Sequence, residues 1–230
     1  MYNGKMKALT FSYDDGVTQD IRLVEIFNKY GLKATFNLNS GRLGEQRTLT
    51  QQGITFNHNK VQSCDVRHIY EGHEIAAHTV RHPNLTKLEE ADIIAQVEGD
   101  RLALSDLAGY EVKGFAYPCG GVNYDSRVSE IIRKSTGVKY CRTIVPSRSF
   151  EKGENLYEFK PTIHHAEFDE LEALAEQFIN AKPDTPMLFY VWGHSYEFDM
   201  FNNWDRFDEF CKMISGRDDI FYGTNRECLL

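Results

Sequence analysis

Two adjacent carboxylates and two spaced histidines are the residues of this chain best suited to chemistry. Asp14 and Asp15 close a β-type run, Ala8-Leu9-Thr10-Phe11-Ser12-Tyr13, and Gly16 follows at once. Strand, acidic tip, turn and helix is the order in which an α/β enzyme presents side chains at the carboxyl end of a strand. Asp-Gly is equally a common turn former, so this stretch alone leaves both readings open. His78 and His82 follow a second β-type run at i, i+4 spacing. That spacing predicts one face of a helical turn, able to hold one metal ion. The pattern alone more often marks surface or core histidines, but here it sits at a strand end, on the same face as the aspartates. Two imidazoles and one carboxylate form a full ligand set for a catalytic zinc, with a position left for water. A pair of aspartates permits a division of labour, one on the metal and its neighbour pointing elsewhere as a base.

The elements that must position these groups alternate. Apolar patterning predicts strands over 7–13, 33–38, 72–78, 113–117, 138–143, 159–164, 186–193 and 220–222. Between them it predicts helices near 18–30, 65–70, 86–107, 125–134, 168–181 and 205–214. Thr86 with Glu89 reads as the capping box of the longest helix. The polar stretch 40–63 carries Gly41, Gly44 and Gly53 and reads as a long excursion on the strand-end face, with room for a small hairpin. Regular βα alternation implies a parallel sheet covered by helices. About seven such units suit a barrel, with an open doubly wound sheet as the alternative. No linker or composition break divides residues 1–230, so one domain is expected.

Composition narrows the function classes. The 230 residues are 41% hydrophobic and 26% charged, values of a globular chain. A net charge of −8 argues against nucleic acid as a partner. No apolar run is long enough to span a membrane. The first residues carry no apolar signal stretch, so the sequence leaves two locations open, a cytoplasmic protein or a trimmed secreted or periplasmic one. Five dispersed cysteines without CxxC spacing argue against a disulfide framework and a cysteine-built zinc site.

Four segments in order resemble the motifs of the polysaccharide deacetylases, the NodB-homology or carbohydrate esterase family 4 enzymes. Thr10-Phe11-Ser12-Tyr13-Asp14-Asp15-Gly16 is similar to their Thr-Phe-Asp-Asp-Gly, read here with an insertion before the aspartates. His78-Thr79-Val80-Arg81-His82 matches their His-Ser/Thr-x-x-His, and Phe115-Ala116-Tyr117-Pro118-Cys119-Gly120 resembles their Arg-Pro-Pro-Tyr-Gly. Val191-Trp192-Gly193-His194 resembles their Leu-x-His. The resemblance implies a distorted (β/α)7-type barrel and a hydrolase that removes acetyl groups from an acetylated oligo- or polysaccharide, N-acetyl before O-acetyl. It implies a divalent metal, zinc first, with cobalt, nickel, manganese or iron as alternatives. Asp15, His78 and His82 would hold that metal, and Asp14 would be the base that activates water. His194 would protonate the leaving group, and the backbone N–H of Cys119 would help stabilise the oxyanion.

Two positions depart from the family pattern. Ala116 stands where an arginine usually braces the catalytic aspartate, and the Asp-containing fourth motif that tunes the acid histidine is missing. Arg142, near the end of the strand after Ala116, reads either as a solvent-facing strand-end residue or as the replacement brace, within hydrogen-bonding reach of Asp14. Tyr117, Tyr196 and Trp204 are candidate sugar contacts, while Trp192 reads as core. His164 and His165 are adjacent on a strand and should point to opposite faces, so both read as structural. His58, His68 and His73 have no partner spacing. Two other readings share the ligand set: a carbohydrate-binding protein on the same barrel with impaired catalysis, and an iron(II) oxygenase. The intact Asp14 and His194 weigh against the first, and the βα order and second aspartate against the other.

Overall fold

In a computed structural model describing residues 2–230, a curled parallel sheet carries the site. Its strands are β1 (Lys7–Asp14), β2 (Ala34–Leu38), β5 (Glu74–Ala77), β6 (Gly114–Ala116), β7 (Tyr140–Arg142), β8 (Ile163–His164) and β9 (Met187–Gly193). They lie side by side as β7-β6-β5-β2-β1-β9-β8, and β10 (Ile220–Tyr222) pairs with the start of β1. β3 (Thr48–Gln51) and β4 (Ile54–Asn57) form a separate antiparallel hairpin in the polar excursion. A parallel bridge between Arg142 and Phe159 joins β7 to the segment leading into β8, so the sheet curls into a seven-stranded distorted barrel of a single domain.

The helices α1 (Asp20–Lys29), α2 (Val66–Ile69), α3 (Glu90–Ala108), α4 (Ser126–Ser135), α5 (Phe168–Asn180), α6 (Tyr196–Phe201), α7 (Trp204–Ile214) and α8 (Asn225–Leu229) follow the strands. Alternation along β1 shows how the sequence assigns its two faces. Leu9, Phe11 and Tyr13 enter the core beneath α1 and α7, where Phe11 lies 4.7 Å from Phe27 and Tyr13 6.3 Å from Phe207 between ring centres. Thr10, Ser12 and Asp14 take the other face. There the Asn37 amide donates to Ser12 Oγ and to Asp14 Oδ1, both at 2.8 Å. Lower in the barrel, Glu74 accepts from Thr35 and Tyr140, and Thr10 donates to Asn225 of α8. These polar groups below the site are therefore paired with one another, as their burial requires.

β1 pairs in continuous register with β2 up to Asp14 and with β9 up to Tyr13. One local expectation is corrected. Thr86 does not cap α3. Asn84 Oδ1 already accepts from both the amide and the hydroxyl of Thr86, fixing a short 3-10 turn, and α3 begins four residues later. Among the described residues, no helix is long and apolar enough to cross a membrane.

Candidate active site

Asp14 ends β1 on the inner face, and Asp15 leaves the strand with φ of +83°. This reversal turns two neighbouring carboxylates to different partners. Residues 78–82 do not form the expected helical turn. Thr79 and His82 both take positive φ, at +70° and +62°, and the segment is irregular. It is tied down instead by Asp100 on α3, whose carboxylate accepts from the backbone N–H of His78, and by Thr79 Oγ1, which accepts from the N–H of His82. Cys119 also takes positive φ, at +71°. Left-handed backbone at non-glycine residues costs on the order of 1–3 kcal/mol each and persists where the surroundings force it. Here it is concentrated at the strand-end face.

Donor atoms of Asp15, His78 and His82 lie within 4.8 Å of one another. His78 Nδ1 lies 2.8 Å from the Ala116 carbonyl and must donate to it, which leaves Nε2 as the lone-pair nitrogen facing the cluster. Burial pushes both imidazoles down, His82 to about 4, so both are neutral, the form that ligates metal. Asp15 Oδ1 is buried and accepts no hydrogen bond. Burial alone would raise the Asp15 carboxyl, but the Lys60 ammonium and a hydrogen bond from His58 hold it well below its ordinary value. Lys60 Nζ donates to the Asp15 carbonyl at 2.6 Å, and His58 Nε2 lies 3.3 Å from Asp15 Oδ2. Two neutral imidazoles around an ionised carboxylate fit a divalent metal, although the Lys60 ammonium lies 3.3 Å from Asp15 Oδ1. His58 and Lys60 come from the excursion, and no spacing in the sequence announced either.

Arg142 reaches Asp14 across the barrel. Its Nη2 lies 2.6 Å from Asp14 Oδ1 and 2.5 Å from Oδ2. One nitrogen bridges both oxygens, rather than the two-nitrogen fork usual for arginine. The guanidinium also lies 4.4 Å from the Trp192 ring centre, and both charged groups are almost wholly buried. Burial would raise the Asp14 carboxyl, yet Arg142, His78 and His194 together hold it below its ordinary value. His194, just past β9, turns Nε2 to within 4.0 Å of Asp14 Oδ2.

These groups surround one pocket of about 240 Å³, which Tyr117, Cys119, Ile144, Trp192 and Tyr196 also line. No hydrogen bond among the described residues uses the Cys119 backbone N–H. A larger hollow of about 550 Å³, between α2 and the end of α3, gathers no comparable set of groups. Chemistry rather than size distinguishes the smaller one. Tyr196 lies on the pocket wall, stacked on Phe56 of the hairpin at 5.0 Å. Tyr117 faces the pocket, but its hydroxyl donates to the Tyr157 carbonyl. Trp204 is a correction: it is buried against Phe198, with Nε1 donating to Asp199, and does not line the pocket. Trp192 is the opposite case, since it lines the pocket although it reads as core. Both His164 and His165 approach the Glu197 carboxylate, at 3.3 and 3.1 Å. Strand alternation fails there because β8 ends at His164 and the chain turns.

The sequence model for polysaccharide deacetylase matches residues 2–140. A bifunctional xylanase/deacetylase of Pseudobutyrivibrio xylanivorans is 31% identical over 122 residues, 53% of this chain and 18% of that protein. A peptidoglycan-N-acetylglucosamine deacetylase of Bacillus cereus is 33% identical over 123 residues, 53% of this chain and 38% of that protein. The chain thus matches well under half the length of either relative. A family 4 acetyl xylan esterase of Clostridium thermocellum, solved with a cobalt ion, shares the fold at a TM-score of 0.54 and 14% identity, over 96% of this chain and 89% of that one. With more than half its length matched by that sequence model, and with the same barrel, the chain belongs to the polysaccharide deacetylase family.

Proposed function

We propose that the protein is a metal-dependent hydrolase that removes acetyl groups from an acetylated oligo- or polysaccharide, with N-acetyl sugars as the preferred class. The observation that carries this reading is the meeting of an arginine-braced Asp14 with the Asp15–His78–His82 set in one pocket. Asp15, His78 and His82 would hold a divalent ion, zinc first. When bound, that ion polarises the acetyl carbonyl and makes water more acidic. Asp14, kept ionised and aimed by Arg142, takes the proton of the attacking water. The Cys119 N–H, held at its unusual φ, donates to the oxyanion as the carbonyl becomes tetrahedral. His194, across the pocket from Asp14, gives its proton to the departing nitrogen or oxygen. Tyr196 and Trp192 offer apolar faces to the sugar.

The binding-only alternative drew on Ala116 and the missing fourth motif. Arg142 supplies the brace that Ala116 lacks, which favours the catalytic reading. The test is acetate release by the zinc-loaded protein from a panel of N-acetylated and O-acetylated glycans. Release from N-acetyl members at a rate above the metal-stripped control is expected. No release from any member, with metal bound, would overturn the proposal.

A further inference from the structure

His194 has a carboxylate beside it, in the first turn of α6. We propose that Glu197 is a positioning residue for His194, and that His165 and Tyr13 hold Glu197 in place. This rests on the reading of His194 as proton donor.

Glu197 lies in the first turn of α6, three residues after His194. Its Oε1 is 3.4 Å from His194 Nδ1. Its Oε2 is 3.1 Å from His165 Nε2, 3.3 Å from His164 Nε2 and 3.2 Å from the backbone N of His194. His165 is fully buried, with its ring stacked on Phe198 at 4.3 Å and Nδ1 3.0 Å from the Tyr13 hydroxyl. Gly193 makes room for it, because a Cβ there would meet His165 Nδ1 at 2.3 Å. With the Tyr13 hydroxyl as donor to His165 Nδ1, the His165 proton sits on Nε2 and faces the carboxylate. His194 likewise turns its Nδ1 proton to Glu197 and keeps Nε2 for the pocket. The two imidazole contacts to Glu197 lack the alignment of full hydrogen bonds, so charge and proximity are what the carboxylate supplies. Burial would lower the His194 imidazolium, but Glu197 and the two aspartates raise it to about 9. Tyr13 neighbours Asp14 on β1, so one strand supports both the base and, through His165, the acid.

Glu197→Gln keeps the shape and the acceptor for the His194 amide but removes the charge. The zinc-loaded variant is assayed on penta-N-acetylchitopentaose and on 4-nitrophenyl acetate. Expected is a fall in kcat of up to ~10²-fold on the amide, whose leaving group needs a proton, and little change on the aryl ester, with bound zinc unchanged. Tyr13→Phe, which removes one hydroxyl, moves the same ratio in the same direction by less, and serves if the glutamine variant does not fold. Imidazole ¹⁵N–¹H spectra of the zinc-loaded protein give a readout without substrate: the His194 Nδ1–H resonance shifts in Glu197→Gln. Equal losses on both substrates, as expected if Glu197 only caps α6, would overturn the proposal. So would an unshifted resonance. A second zinc equivalent that Glu197→Gln loses would overturn it too, marking His164, His165 and Glu197 as a cation site. If the wild type hydrolyses neither substrate, the spectrum alone decides whether Glu197 acts on His194, and the deacetylase reading is decided separately by the glycan panel.

Discussion

The Asp15–His78–His82 side of the pocket and the His194 side are built by opposite means. On the first, the groups come from the ends of β1 and β5 and follow the family spacing, within the residues that the sequence model matches. The second is assembled from β7, β8, β9 and α6, and its two charged helpers lie outside the four motif segments. Arg142 pairs with Asp14, and Glu197 lies beside His194. Motif spacing announces the first side, and only the folded chain brings the second together.

The comparison breaks most severely from the first side. His78→Ala or His82→Ala should lose the bound ion and bring acetate release to background. Metal content equal to wild type in both variants would remove the site.

The second side yields a smaller but sharper effect through Arg142. Removing one member of a buried ion pair leaves an uncompensated charge, at a cost of ~3–5 kcal/mol. Arg142→Met should lose about that much stability in urea unfolding. The Arg142→Met/Asp14→Asn double variant should recover part of it, because the orphaned charge is gone. A loss for Arg142→Met within the ~0–1 kcal/mol typical of exposed pairs would contradict the geometry.

His194→Ala separates the two sides by chemistry. If His194 donates the proton, the loss on an N-acetyl substrate should exceed the loss on an activated aryl acetate, by as much as ~10²-fold. Equal losses would make His194 structural.

The smallest effect is in pH. In the metal-free protein, His194 has a folded pKa of about 9, above its ordinary 6.5, because Glu197, Asp14 and Asp15 outweigh burial. A group raised in the folded state stabilises fully below its unfolded pKa, and that contribution is lost as pH rises toward the folded value. The melting temperature of metal-free wild type should therefore fall between pH 6.5 and 9 more steeply than that of His194→Gln. Parallel curves would mean that the raised value is absent.

Much of this was legible in the sequence, and what was missed has physical causes. The βα order fixes a parallel sheet, and strand order places Arg142 beside Ala116. Strand alternation puts Asp14 inside and Tyr13 outside. Periodicity misled at 78–82, where positive φ at Thr79 and His82 substitutes for a helical turn. It also misled at His164-His165, where the strand ends between the two residues. His58 and Lys60 gave no signal, because their partner Asp15 is more than forty residues away and the excursion has no period. Trp204 and Trp192 exchanged places because nearness to a motif does not tell which face of an element a ring will take.

The most direct test is Asp14→Asn, with metal content and acetate release from an N-acetylated glucosamine oligomer measured on the same samples. The account predicts one bound ion, as in wild type, and a rate lower by ~10²–10⁴-fold, since the base is lost and the ligands remain. A variant as active as wild type, or one that loses its metal along with its activity, would contradict the division of labour between Asp14 and Asp15.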